Sequence, residues 1–113
     1  MHELGITENI LDITLTKANE EQATKVLKIN LVIGELSGFV AECIQFYFDT
    51  LSKATIAEGA ALNFETAPVE LRCRNCSAVF RPRDALWSCP KCGSQGAEIF
   101  KGRGLYIDSV EVE

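Results

Sequence analysis

The sequence predicts an α+β fold: two helices packed on a small three-stranded sheet, with a four-cysteine ribbon inserted before the last strand. Three observations predict it. Residues 4–20 and 40–56 carry apolar side chains at helical spacing. Residues 24–36, 61–66 and 105–112 read as extended runs bounded by turn residues. Cys73-Arg-Asn-Cys76 and Cys89-Pro-Lys-Cys92 stand twelve residues apart, a spacing that suits one tetrahedral metal ion.

Each element follows in order. In the first helix Leu4, Ile6, Ile10, Leu11, Ile13, Leu15 and Ala18 cover one broad side, and Glu8, Asn9, Asp12, Thr16 and Glu20 the other. Its β-branched content is high, so packing rather than propensity must hold it. The first strand places Leu27, Ile29, Leu31 and Ile33 on one face and ends at Gly34, before a turn over Glu35–Gly38. Val40, Cys43, Ile44, Tyr47, Phe48 and Leu51 form the stripe of the second helix, which makes Cys43 a small buried hydrophobe. Residues 61–66 and 69–72 are extended, with Pro68 as an edge signal between them. A short strand over 97–100 and a turn at Gly102-Arg-Gly104 lead into the final strand. That strand is expected to return to the first sheet, because its backbone groups need partners. The order is α-β-α-β-ribbon-β. Residues 1–70 and 103–113 form an α/β unit, and 71–102 the inserted ribbon.

The formal net charge is −5. Four thiolates with one divalent ion shift it by −2, to −7, which disfavours non-specific nucleic-acid binding. Arg72, Arg74, Arg81 and Arg83 lie in or beside the ribbon and read as balancing the charge of a thiolate site. The N-terminus lacks a basic n-region, and no apolar run approaches the ~18 residues of a membrane span. The expected location is the cytosol, where paired Cys-x-x-Cys motifs are metal or redox centres rather than structural disulfides.

Zn²⁺ accepts four thiolates tetrahedrally, and a Cys-x-x-Cys turn presents two sulfurs inward beside backbone N–H groups. Gly93 suits a positive-φ exit from the second knuckle, Pro90 stiffens it, and Trp87 and Phe80 can pack beside it. Iron in a rubredoxin-like site and thiol exchange within either pair are the competing readings. A closed four-thiolate site has no position for water, so it is structural.

His2 is the only histidine. A histidine so near a chain end is ordinarily solvated and without a role. Its chemistry is nevertheless specific. Methionine is generally retained before a bulky second residue, so Met1 keeps a free α-amine. That amine, the His2 peptide nitrogen and its Nδ1 can enclose a metal in adjoining rings. Glu3 offers a fourth donor, by peptide nitrogen or carboxylate. Deprotonated amides favour Ni²⁺ or Cu²⁺ in a square-planar field.

Met1-His2-Glu3 opening an amphipathic helix, Ile33-Gly34-Glu35-Leu36-Ser37 after the first strand, and the Cys73/Cys76/Cys89/Cys92 ribbon together resemble the HypA/HybF family. These are nickel metallochaperones that help mature nickel–iron hydrogenases. The resemblance covers essentially the whole chain. It implies nickel as transient cargo at His2 with Glu3 and the Met1 nitrogen, and structural zinc at the four cysteines. It further implies a GTPase of the nickel-insertion pathway and a hydrogenase large subunit, or its maturation complex, as partners. The chain would be a monomer or weak homodimer, and whether urease is a second client stays open. Some members add a carboxylate near the start of the second helix; here Val40 cannot coordinate, and Glu42 reads as a solvated helix residue.

Two other classes compete. A zinc ribbon docking on RNA, DNA or the transcription machinery would need a basic–aromatic surface that the acidic composition argues against. An enzyme would need groups that are missing: there is no second histidine, no Gly-rich phosphate loop and no open metal position.

Overall fold

The computed structural model describes residues 2–82 and 87–113. Among the described residues eight elements follow one another: α1 (Glu3–Glu20), β1 (Val26–Gly34), α2 (Ala41–Leu51), β2 (Ala61–Ala67), β3 (Glu70–Cys73), β4 (Val79–Phe80), β5 (Ala97–Lys101) and β6 (Leu105–Val112). They build two three-stranded sheets, ordered β2-β1-β6 and β4-β3-β5. The radius of gyration is 17.7 Å and the extents are 54 × 27 × 17 Å. A chain of this length gathered round one core would have a radius of about 13 Å. The molecule is therefore elongated, with the two sheets displaced along its length.

In the first sheet β1 is central. It pairs in parallel with β2, from Lys28↔Ala61 to Gly34↔Ala67, and α2 is the crossover between them. The final strand does return: β6 runs antiparallel along the other edge of β1. Both helices cover one face, where Ile10, Leu11 and Ala18 meet Ile29, Leu31, Ile44 and Phe48. The opposite face is polar and tied across the strands. Asn30 Nδ2 donates to Ser109 Oγ at 2.9 Å, and Asn63 Nδ2 donates to Asn30 Oδ1 at 3.1 Å.

The structure corrects four details of the sequence reading. In α1, Leu4 and Ile13 are exposed, while Glu3, Thr7 and Thr14 are buried. Apolar residues surround much of this helix, so its pattern allows more than one inward face. Thr7 tolerates burial because its hydroxyl donates to the Glu3 carbonyl. Leu27 is exposed rather than sharing the face of Ile29, because a register shift between Val26 and Lys28 turns Val26 inward instead. α2 stops at Leu51, short of residue 56. There the Thr55 hydroxyl donates to Ser52 O, and the Glu58 carboxylate accepts from the Ala54 N–H, drawing the backbone into turns. Cys43 is exposed, since Ile44 and Phe48 alone carry the buried line of α2.

The two sheets join where three backbone segments cross. Leu36 N–H donates to Gly102 O at 2.8 Å, Gly34 N–H to Gly104 O at 2.8 Å, and Glu35 N–H to Ala67 O at 2.9 Å. The Glu35 carboxylate accepts from the Val69 N–H at 2.8 Å. Gly34 is required here by space: a Cβ would lie 2.4 Å from the Gly102 carbonyl oxygen.

Candidate metal centres

The ribbon sheet brings the four predicted cysteines together. Their sulfurs all lie within 4.8 Å of one another. Cys73 and Cys92 sulfurs are 3.5 Å apart, and those of Cys76 and Cys89 3.6 Å. A tetrahedral Zn–S shell with bonds of about 2.3 Å has edges of about 3.8 Å, so the donor set fits one such ion. The local fold repeats. Ser77 N–H donates to Cys73 O and Gly93 N–H to Cys89 O, both at 2.9 Å. Ser77 and Gly93 close the two knuckles with φ of 64° and 78°. The left-handed exit expected at Gly93 is present, and Ser77 makes the same turn in the first knuckle.

Backbone amides polarise the first sulfur of each knuckle. Cys73 Sγ accepts from Asn75 and Cys76 N–H groups at 3.4 and 3.5 Å, and Cys89 Sγ from Lys91 N–H at 3.4 Å. The Cys76 N–H most of all, with Asn75 and the neighbouring thiols, outweighs burial and holds the Cys73 thiol near 6 instead of 9.0. Cys89 is lowered in the same way, chiefly by the Cys92 and Lys91 N–H groups. At Cys76 the Ala78 N–H acts downward, but burial and three surrounding sulfurs prevail and raise it to about 11. The Cys73 thiolate is thus favoured at neutral pH and Cys89 is shifted in the same direction, and a cation's charge would draw the remaining protons away.

A pH profile follows for the metal-free, reduced protein. Cys73 is lowered in the fold, so its stabilisation is complete above about pH 9 and is lost as pH falls toward about 6; Cys89 is lowered too and acts in the same direction. Cys76 is raised, so its effect is complete below 9.0 and is lost as pH rises toward about 11. Without metal the ribbon is therefore expected to keep its greatest residual structure near pH 9. Far-ultraviolet circular dichroism of the metal-free protein from pH 5.5 to 11 tests this, and a signal flat over that range would contradict it.

The expected neighbours of the site are placed differently. Arg72 and Arg74 both face Glu98, at 3.8 Å, rather than the sulfurs. Trp87 lines a cleft of about 470 Å³ with Leu36, Pro68 and Arg81, at the junction of the sheets. Arg83 lies outside the described residues.

At the other candidate centre, His2 caps α1 in a left-handed conformation, φ 63° and ψ 13°. A ψ this close to zero eclipses the peptide nitrogens of His2 and Glu3, the arrangement that closes a five-membered chelate ring through His2 Cα and C. The first helical bond runs from Ile6 N–H to His2 O. The N–H groups of His2 and Glu3 precede it, outside the helical ladder. Glu3 is buried, and its Oε2 accepts from the Val40 N–H at 3.1 Å, joining the starts of α1 and α2. The terminal ammonium group most of all, with the Glu3 and Val40 N–H groups adding to it, holds the Glu3 carboxyl below its ordinary range despite burial. The carboxylate is thus engaged at the meeting of the two helix starts. Sequence reasoning missed this tie: Val40 contributes its backbone, not its side chain. Glu42 is exposed in the first turn of α2. Met1 lies outside the described residues.

Comparison with known proteins covers the whole chain. The family model described as hydrogenase/urease nickel incorporation, metallochaperone, hypA matches residues 1–112. Hydrogenase maturation factor HypA of Caldanaerobacter subterraneus subsp. tengcongensis is 42% identical over 114 residues, covering 100% of both chains. The factor of the same name from Geobacter sulfurreducens is 38% identical over 113 residues, again covering 100% of both. The solution structure of the Ni metallochaperone HypA from Helicobacter pylori matches with a TM-score of 0.74 at 28% identity, over 99% of this chain and 97% of that one. A further solution structure of a HypA protein reaches a TM-score of 0.84 at 28% identity, over 100% and 97%. With the motifs, the fold and these matches in agreement, the chain belongs to the HypA family of nickel-incorporation metallochaperones, maturation factors rather than enzymes.

Proposed function

We propose that this protein carries Ni²⁺ on its first three residues and hands it on during nickel–iron hydrogenase maturation. The observation that carries the reading is the His2 backbone: ψ of 13° at a helix cap brings the peptide nitrogens of His2 and Glu3 to the same side. With the Met1 α-amine and the His2 imidazole these make a four-nitrogen set, which suits square-planar Ni²⁺ and not Zn²⁺. Glu3 positions the cap through Val40. The four cysteines hold structural zinc. Residues 1–70 and 103–113 act as the nickel-handling unit and 71–102 as the zinc ribbon. The protein works in the cytosol with a GTPase of the nickel-insertion pathway and a hydrogenase large subunit or its maturation complex. The family description also names urease, so a urease client belongs to the same proposal. Among the described residues no helix is long and apolar enough to cross a membrane.

The test is a nickel titration of zinc-loaded protein with a native, untagged N-terminus, beside His2→Ala. The native chain is expected to take up one nickel with a planar, diamagnetic spectrum, and His2→Ala none. Retention should weaken in acid, where protons compete with nickel for the imidazole and amide nitrogens. Equal binding by the two proteins, or unchanged affinity at pH 5, would remove His2 from the site.

A further inference from the structure

The net charge of −5 conceals a strong segregation. Seven of the eleven basic residues fall between Arg72 and Arg103, with only Asp84 and Glu98 as acids there. The remainder of the chain holds fourteen carboxylates and four lysines. The stretch from Arg72 to Arg103 thus carries five more positive than negative charges, the rest ten more negative than positive, before any metal is counted. A tetrathiolate zinc site would leave that stretch at three.

Much of this charge is displayed on one open sheet face. Arg72 of β3 is paired across the ladders with Val79 of β4 and Glu98 of β5. Val79 is 49% and Phe100 40% exposed. The Arg72 guanidinium lies 4.4 Å from the Phe100 ring centroid, and Lys101 Nζ approaches the same ring at 5.8 Å. Arg72 and Arg74 share the single carboxylate of Glu98, each at 3.8 Å. A well-made charged hydrogen bond is about 2.7–2.9 Å long. These exposed, stretched pairs contribute little, so both guanidinium groups are available to a better-placed carboxylate.

We propose that this face, centred on Arg72, Arg74 and Phe100, docks a short acidic segment of a partner protein. Carboxylates would replace Glu98 as the partners of the arginines, and one apolar side chain would cover Phe100 and Val79. The size of the face selects the occupant. Strands of four, two and five residues offer a few hundred Å² at most, well below the ~800 Å² per partner of a stable dimer. A short peptide segment fits that area. A nucleic acid would run its phosphates past the acidic remainder of the chain. The proposal does not depend on the nickel reading.

The test uses the full zinc-loaded chain and fluorescence anisotropy with a labelled peptide, Glu-Glu-Phe-Glu-Glu-Leu, beside its lysine-for-glutamate counterpart. The acidic peptide is expected to bind, and to bind several-fold more weakly as salt rises from about 50 to 300 mM. Arg72→Gln with Arg74→Gln should reduce affinity at least tenfold, and Phe100→Ser several-fold. Lys17→Gln with Lys25→Gln, on the acidic part, should leave it unchanged. Zinc content and far-ultraviolet circular dichroism confirm folding, and Arg74→Gln alone serves if the double variant misfolds. Absence of binding, equal binding of the lysine peptide, or indifference to the arginine variants would overturn the proposal. So would tighter binding of a 12-nucleotide single strand, or sedimentation showing a dimer that the peptide dissolves; these would assign the face to nucleic acid or to a second copy.

Discussion

Cys73→Ser is expected to empty the four-sulfur site and unfold the ribbon sheet, while the helices and the β2-β1-β6 sheet remain folded. Cys73 closes the shell from a buried position, and its sulfur is the one most favoured as a thiolate. The ribbon has little else to hold it. Among the described residues Leu71 is its one fully buried aliphatic side chain, aligned with Phe80 and Ile99 on the neighbouring strands. A core this small does not offset the entropy of ordering some thirty residues. Binding of structural zinc is worth about 10–16 kcal/mol in comparable modules, and that stabilisation goes with the ligand. Zinc counted by mass spectrometry should fall from stoichiometric to trace. Amide exchange should lose protection at Leu71 and keep it at Ile29. Stoichiometric zinc in the variant would refute the assignment of Cys73 as a ligand.

Gly34→Ala should be the most damaging change outside the metal centres. An added methyl would lie 2.4 Å from Gly102 O and 2.8 Å from Arg103 C, all backbone atoms that no rotamer change can move. Overpacking of this kind costs about 3 kcal/mol. In a chain of this size that corresponds to a fall in Tm of roughly 10–20 °C. Gly59→Ala is the matched control. Its φ is 80° but nothing stands within 4 Å, so only backbone strain is added, about 1 kcal/mol. The two variants are to be compared by calorimetry with zinc bound. Equal melting temperatures would show that the crossing of chains at Gly34 and Gly102 is not a tight contact.

The gross architecture was legible because its signals are local. The cysteine spacing, the turn glycines and the apolar runs each depend on a few neighbouring residues, and they place both helices, the main strands and the ribbon. What was not legible depends on residues far apart in the chain. Cys43 lies on an apolar stripe in sequence, yet the sheet beneath α2 accepts only Ile44 and Phe48. Leu4 and Ile13 lost the inward face to Thr7 and Thr14, and no periodicity rule ranks threonine above leucine. At the N-terminal end, Met-His-Glu suggested candidate donors but not their posture. The left-handed turn at His2 and the bond from Val40 to Glu3 arise from two helix starts meeting across 37 residues of chain. The charge segregation was open to counting from the start, but a single net charge hides it.

The central position of β1 bears on how the protein is made. Its two neighbours are β2, completed at Ala67, and β6, which ends at Val112. A chain emerging from its N-terminus presents β1 with one edge unpaired until the last residues are available, and such an edge invites pairing with other chains. The whole ribbon, from Glu70 to Lys101, is synthesised during that interval. Folding of the ribbon brings Glu70 and Lys101 side by side and delivers β6 to the waiting edge. If the four cysteines hold zinc as proposed, zinc supply would govern how long a newborn chain stays exposed to aggregation, at a strand remote from the cysteines.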